Sequence, residues 1–346
     1  MGRSRLKTPG AFLEETIQSQ PDALEKLLRD PPPSSALSRL SGCSRIFLVG
    51  TGTSYHGALV GQYLLRSAGV EAWAILAFEF ANYPPSFKAD DGLVLLSHGG
   101  TKRFSQGALD AFDNQDHWLA ITGEGSPLLG AGVITTVAQE RSPVHTASHT
   151  GAMVRVAQVA LALGSPPWKD HLARLPNAIR ATLALRPQVI QALDRLHLGR
   201  VVHFVGGGPA NATALEGALK LREAAYVSTE GHELESILHG PLISIDAEDS
   251  VVVIAQPGAT LERTAELTAA LHEIGTSTLA VGPAAARFTA ATVRLETLSI
   301  DERLAPIVNV IPIQLLALEV SRRLGVDADS FRKEGRYAAA QTKFSL

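Results

Sequence analysis

A carboxylate, an amine and an imidazole follow one glycine-rich turn between Val201 and Asp246. Gly206-Gly207-Gly208 ends the apolar run Val201 to Val205. Lys220 and Glu223 come next, and His239 then stands directly before Gly240-Pro241. Residues three apart on a helix share a face, so Lys220 and Glu223 can address one small molecule together. Glu223 is suited to act as a base, His239 as a general acid/base, and Lys220 as a neighbouring cation, which is the equipment of proton transfer on a small polar substrate. Each residue also has an ordinary reading. A Lys–Glu pair is usually a solvated ion pair worth little, and a single histidine is more often a hydrogen-bonded structural residue. The combination favours chemistry.

Two further turns can hold an anion. Arg45 to Val49 reads as a buried parallel strand that ends in Gly50-Thr51-Gly52-Thr53-Ser54. A helix beginning there leaves backbone N–H groups free at its start, where anions bind. Thr51, Gly52, Thr53 and Ser54 are the candidates, although simple capping by Thr53 or Ser54 would explain a single such turn. A second turn, Ser97-His98-Gly99-Gly100-Thr101-Lys102-Arg103, follows the strand candidate Gly92 to Leu96. Carboxyl ends of parallel strands converge on one crevice, so Ser97, His98, Gly99, Thr101 and Lys102 join the first group. Gly50-x-Gly52 and Gly206-x-Gly208 do not make a dinucleotide site: Tyr55 and Asn211 stand where a third glycine belongs. At the other end of the chain, Thr342 and Lys343 follow three alanines and precede Phe344. That composition predicts a tail that docks and brings Lys343 to a crevice.

The elements needed to position these groups alternate between strand and helix. Ala11 to Arg29 has a helical pattern that Pro21 is expected to divide, and Asp30 to Ser35 reads as a linker. Ser54 to Ser67 is helical and Trp118 to Thr122 a strand. Thr146 to Leu163 and His171 to Leu196 are long helical stretches. The second half then repeats the first: Phe47 to Gly52 corresponds to Phe204 to Gly208, and Leu93 to Gly99 to Val251 to Pro257, at nearly one offset. Thr278 to Val281 and Val293 to Leu295 are later strands, and Pro306 to Leu324 a closing helix. The pattern predicts an α/β fold of two doubly wound parallel-sheet domains related by duplication. The expected divisions are a helical segment at 1–34, a first domain at 35–165, a helical connection at 166–197, a second domain at 198–330 and a tail at 331–346.

Composition narrows the function classes. The chain has 346 residues, a hydrophobic content of 45% and a net charge of −3, which gives no general attraction to nucleic acid or an anionic membrane. Cys43 is the only cysteine, excluding an internal disulfide and a cysteine-based metal cluster and suiting a reducing cytoplasm. No signal peptide, myristoylation pattern or membrane-length apolar run is present in the sequence.

Nearly the whole chain, from about Phe12 to Lys343, resembles the sugar isomerase (SIS) family. The arrangement is the tandem one of the isomerase half of glucosamine-6-phosphate synthase and of related deglycases and ketose/aldose isomerases. Gly52-Thr53-Ser54-Tyr55, the run Ala214 to Glu223, Leu238-His239-Gly240-Pro241-Leu242, Pro306 to Ala328 and the late lysine carry the resemblance. It implies that Glu223 moves a proton between the first two sugar carbons, with Lys220 beside it. It also implies that His239 assists ring opening from a neighbouring subunit, hence a homodimer, that Lys343 closes over the sugar, and that Thr53, Ser54 and Ser97 hold a phosphate. No metal or organic cofactor is required.

The sequence departs from the family in its phosphate loop. Gly99 replaces a serine and Lys102 a threonine, with Arg103 behind it. A lost hydroxyl beside a gained cation points to another anion, such as a sulfonate, or another way of holding it. Asp329-Ser330-Phe331-Arg332 likewise lacks the usual proline. With no glutaminase segment, the chain is not expected to draw ammonia from glutamine. The first expectation is aldose/ketose or amino-sugar interconversion of a sugar 6-phosphate through an enediol or enamine, in which Lys343, with Lys220, steadies an oxyanion or forms an imine. The others are a sulfonated-sugar isomerase, a sugar-phosphate deaminase or deglycase, and a non-catalytic sugar-phosphate sensor. No DNA-binding segment precedes Ala11, which weighs against a regulator of transcription.

Overall fold

In a computed structural model, which describes residues 8–112, 116–332 and 335–345, the β-branched and aliphatic runs form two parallel sheets. The chain opens with helix α1 (Ala11–Arg29) and a single turn α2 (Ser34–Leu37). The first sheet contains β1 (Arg45–Gly50), β2 (Glu71–Leu76), β3 (Asp91–Leu96), β4 (Trp118–Glu124) and β5 (Val133–Ala138) in the order β2-β1-β3-β4-β5. Its helices are α3 (Thr53–Ser67), α4 (Ala77–Asn82), α5 (Arg103–Ala111) and α6 (Ala147–Leu163). The short helices α7 (Lys169–Leu172), α8 (Leu175–Leu183) and α9 (Arg186–Ala192) lead to the second sheet. There β6 (Val202–Gly206), β7 (Thr229–Glu233), β8 (Ser250–Ile254), β9 (Ser277–Val281) and β10 (Val293–Leu295) take the order β7-β6-β8-β9-β10. With them come α10 (Pro209–Ala225), α11 (Leu234–Leu238), α12 (Leu261–Ile274) and α13 (Pro306–Arg323). A final helix, α14 (Gly335–Gln341), follows. Strand for strand, the two sheets have the same order.

Alternation along the central strands explains why helices cover both faces of each sheet. In β1, Ile46 and Leu48 point into the large core shared with α3, α6, α10 and α13. Phe47 and Val49 pack instead with Ala77, Phe80, Ala108 and Phe112 beneath α4 and α5. In β6, Val202 and Phe204 face the shared core, while Val205 packs with Leu234, Ile237, Leu267 and Leu271 beneath α11 and α12. The first helix after each central strand therefore lies between the sheets, and α3 packs directly on α10. Both helices begin at the same kind of corner. Gly52 has φ 56° and ψ −126°, and Gly208 has φ 58° and ψ −132°. That conformation is essentially reserved for glycine.

Three local expectations are corrected. Pro21 does not divide α1, which runs unbroken from Ala11 to Arg29. The carbonyl that Pro21 cannot serve is that of Ile17, and the Gln20 side chain donates to it at 3.0 Å. The stretch His171 to Leu196 is not one long helix, because Pro176 and Pro187 each open a new helix in its first turn. The tail forms α14, yet no side chain of that helix is buried and Phe344 is 57% exposed. Alanine side chains offer too little apolar area to hold it down. The strands missed in the sequence were the edge strands β2, β5 and β7, and the helices α4, α5, α11 and α12 were also not called. β7 reads Thr-Glu-Gly-His-Glu, with none of the apolar signal of a central strand.

Candidate active site

Glu216, Lys220 and Glu223 are spaced along α10 at intervals of four and three, placing all three on one face. That face meets the start of α3, where the Gly52 corner aims Thr53 and His56 at it. Thr53 Oγ1 donates to Glu216 Oε1 at 3.1 Å, and His56 Nδ1 lies 2.7 Å from Glu216 Oε2. A carboxylate only accepts, so this contact places the proton on Nδ1 of the imidazole. Lys220 Nζ sits 3.4 Å from Glu216 Oε1 and 2.5 Å from Glu223 Oε2. A polar chain thus runs from Thr53 through Glu216 and Lys220 to Glu223, crossing from one sheet's helix to the other's.

Most of this chain is sealed from water. The Glu216 side chain is fully buried and that of Lys220 is 1% exposed, whereas Glu223 keeps 24% of its side chain in contact with solvent. Charges at such depth are tolerated only when paired. Burial alone would push Glu216 up, but Lys220, His149 and His56 outweigh it and hold its carboxyl well below the usual carboxylate range. Burial likewise opposes the charge on Lys220, yet Glu216 and Glu223 together raise its ammonium above the ordinary lysine value. Lys220 is therefore a fixed cation beside Glu223 and not a proton donor near neutral pH.

Glu223 opens onto a cavity of about 330 Å³ walled by Arg222, Tyr226, Val227, Phe331, Arg332 and Tyr337. Two of these walls are themselves fixed. Tyr226 adopts a left-handed conformation at φ 57° as α10 ends, and its hydroxyl donates to the Ser330 carbonyl at 3.0 Å. The Arg332 guanidinium lies over the Tyr226 ring, 4.3 Å from its centre. At the far end of the polar chain is a smaller cavity of about 30 Å³, room for about one or two waters. Thr53, Ser54, Ser97, His98, His145, Ser148 and His149 supply its polar lining. Burial pushes His149 down to about 4; burial and then the nearby His145 do the same to His98. His145 is also lowered by burial. All three are neutral at pH 7, and each has a buried Nδ1 without a hydrogen-bond partner.

Of the residues singled out in the sequence, Thr53, Ser54, Ser97 and His98 come together around the small cavity, while Glu223 lines the larger one with Lys220 buried behind it. Thr51 is exposed beside the first turn. Gly52 forms its corner, and the Gly99 carbonyl accepts from Ser126 Oγ at 3.4 Å. Thr101 and Lys102 are exposed at the start of α5 and outside the cavity lining. His239 follows α11 with its side chain 72% exposed. Its Nε2 is 2.8 Å from Glu235 Oε1, a carboxylate that Arg263 also grips at 2.7 and 2.9 Å. Thr342 and Lys343 are exposed in the turn after α14, where Thr342 Oγ1 donates to the Ala339 carbonyl at 2.8 Å. Sequence reasoning gave no role to Glu216, His56, His145 or His149. Glu216 could have been found, since it stands one helical turn before Lys220.

Residues 200–321 match the model of the SIS domain. The glutamine–fructose-6-phosphate aminotransferase (isomerizing) of Gloeobacter violaceus is 31% identical over 350 residues, covering 93% of this chain and 57% of that protein. The chain spans a little over half the length of such curated relatives. The C-terminal domain of glucosamine-fructose-6-phosphate aminotransferase from Francisella tularensis superposes with a TM-score of 0.82 at 21% identity, covering 92% of this chain and 98% of that one. Tagatose-6-phosphate ketose/aldose isomerase from Escherichia coli superposes with a TM-score of 0.77 at 21% identity, covering 92% and 95%. At such identities the superpositions show a shared fold. Residues 200–321 therefore match the SIS domain, and the two parallel five-stranded sheets with flanking helices are the α/β fold of the solved structural neighbours.

Proposed function

We propose that the protein is a sugar-phosphate isomerase, interconverting an anionic ketose and aldose or their amino derivatives, with Glu223 as the base that moves a proton between adjacent carbons. The observation that carries this reading is the buried Lys220 ammonium held between Glu216 and Glu223, with Glu223 at the edge of a cavity large enough for a sugar. A carboxylate held against a fixed cation keeps one orientation, and a carboxylate so oriented can accept a carbon-bound proton. The same cation lies behind Glu223 and outside the cavity lining, so its part in this reading is to orient the carboxylate. The relatives' names, aminotransferase (isomerizing) and ketose/aldose isomerase, support the substrate class. Two SIS-like units, 35–165 and 198–330, would then share the work. The turns at Thr53-Ser54 and Ser97 bind the anionic group, and α10 performs the proton transfer.

His239 and Lys343 enter this proposal through a second subunit and a movable tail. The exposure of His239 and of the 94% exposed Ile243 just beyond it fits a segment that a partner copy covers. Tyr337 of α14 already walls the Glu223 cavity, so a swing of the following turn would bring Lys343 toward it. The test is to incubate the protein with a panel of ketose and aldose 6-phosphates and follow interconversion by NMR. Turnover of at least one pair is expected. Ligand binding without turnover across the panel would replace the enzyme by a sensor.

One observation favours a second reading of the anion. The small cavity is lined by hydroxyls and three neutral imidazoles, and none of its lining residues is Lys or Arg. A singly charged sulfonate needs less compensating charge than a phosphate dianion. Larger thermal shifts with a 6-sulfonated sugar than with the matching 6-phosphate would support it, and the reverse order would remove it.

A further inference from the structure

A second cluster of ionisable side chains lies outside this site, on the opposite face of the second sheet. β6 and β7 pair in parallel register, with His203 opposite Glu230 and Val205 opposite His232. Since Phe204 faces the shared core and α10, His203, Glu230 and His232 project together from the other side of these two strands. His203 Nδ1 is 3.1 Å from His232 Nε2, His232 Nε2 is 3.4 Å from Glu230 Oε2, and His203 Nδ1 is 3.8 Å from that same oxygen. Four ligands around a tetrahedral Zn²⁺ at about 2.0–2.1 Å stand roughly 3.3–3.4 Å from one another. The three atoms therefore already approximate one face of such a tetrahedron.

The setting suits a cation. The side chains of His203 and His232 are 5% and 12% exposed, while Glu230 is 55% exposed, so the cluster is open on one side. Nearby, the Arg200 guanidinium is engaged by Asp246 and lies 3.5 Å from Asp249, so its charge is compensated. A His203–His232 hydrogen bond would use one N–H and one bare nitrogen, but it gives no role to a carboxylate placed against both rings.

We propose that His203 Nδ1, His232 Nε2 and the Glu230 carboxylate form a three-ligand site for a divalent cation of the Zn²⁺ class, with water completing the fourth position. Two imidazoles and a carboxylate favour zinc and its late first-row neighbours over magnesium or calcium. The bound ion would fasten the edge strand β7 to β6. β7 ends at Glu233, whose side chain caps α11 through Glu235 N and Ser236 N. The ion would thus stiffen the segment that leads to His239.

The protein, stripped with chelator and dialysed, should be titrated with Zn²⁺ by calorimetry and with Co²⁺ by visible absorption. One equivalent per chain is expected, with the intense bands of tetrahedral cobalt. Binding should be lost in His232→Gln and in Glu230→Gln; Glu230 is exposed enough that its replacement leaves the fold intact, as circular dichroism would verify. Three outcomes would overturn the site: no saturable binding by the wild type, binding retained in both variants, or binding abolished by His98→Gln. The last would assign the ion to His98, Glu140 and His145, whose ligand atoms also lie within 4.8 Å of one another.

Discussion

Lys220 Nζ lies 2.5 Å from Glu223 Oε2, and this contact joins a buried cation to the most exposed carboxylate of its network. Behind it Lys220 is anchored by Glu216, which is anchored in turn by His56 and Thr53 from the other sheet's first helix. The position of Glu223 therefore depends on residues of both halves of the chain. That dependence makes the network accessible to mutation at points away from Glu223.

Removing Lys220 should cost far more than a surface ion pair. Lys220→Met leaves Glu216 fully buried without its cation, a loss of about 3–5 kcal/mol. Glu216→Gln in the same chain removes the stranded charge, so the double variant should recover much of that loss. Urea denaturation of wild type, both single variants and the double variant measures the coupling. Additive losses would mean that the two side chains do not act as a pair.

Much of this organisation is legible in the sequence, for definite reasons. Central strands such as Ile46 to Val49 and Val251 to Ile254 are buried on both faces and read as continuous apolar runs. Their repetition across the chain foretells two sheets of one order. Lys220 and Glu223 are legible because helical spacing is fixed. The edge strand β7 is not, since one side of it faces solvent and its polar residues resemble a loop. His56 is invisible for another reason: its role arises from a contact between elements distant in sequence. His56 Nδ1 meets Glu216 Oε2 across 160 positions, which no local pattern shows.

The buried imidazoles make stability depend on pH. His149 titrates near 4 in the folded protein against 6.5 when unfolded. Between these values the unfolded chain binds a proton that the folded one refuses, so stability is full above about 6.5 and falls as pH drops toward 4. His98 adds in the same window and direction. Glu216, depressed below 4.5, contributes stability that is present above 4.5 and is lost at lower pH. His149→Phe should flatten the slope of unfolding free energy between pH 6.5 and 4 by up to one proton's worth. An unchanged slope would show that His149 takes up its proton without unfolding.

The surface around His239 should govern assembly. Ile243, in the segment just beyond His239, is 94% exposed, an unusual position for so apolar a residue. Ile243→Glu is expected to shift a dimer toward monomer in sedimentation and to lower activity together with dimer content. A fully active monomer would separate His239 from its proposed role across the interface.

The most direct test of Glu223 as the base is proton exchange at the sugar C2 in deuterated water, followed by NMR for wild type and Glu223→Gln with the sugar that turns over. Glutamine keeps the size of the side chain and removes its basicity. Exchange is predicted to fall by about 10²–10⁴-fold while the sugar still binds. Exchange at the wild-type rate in Glu223→Gln would contradict the assignment, however well the surrounding network is formed.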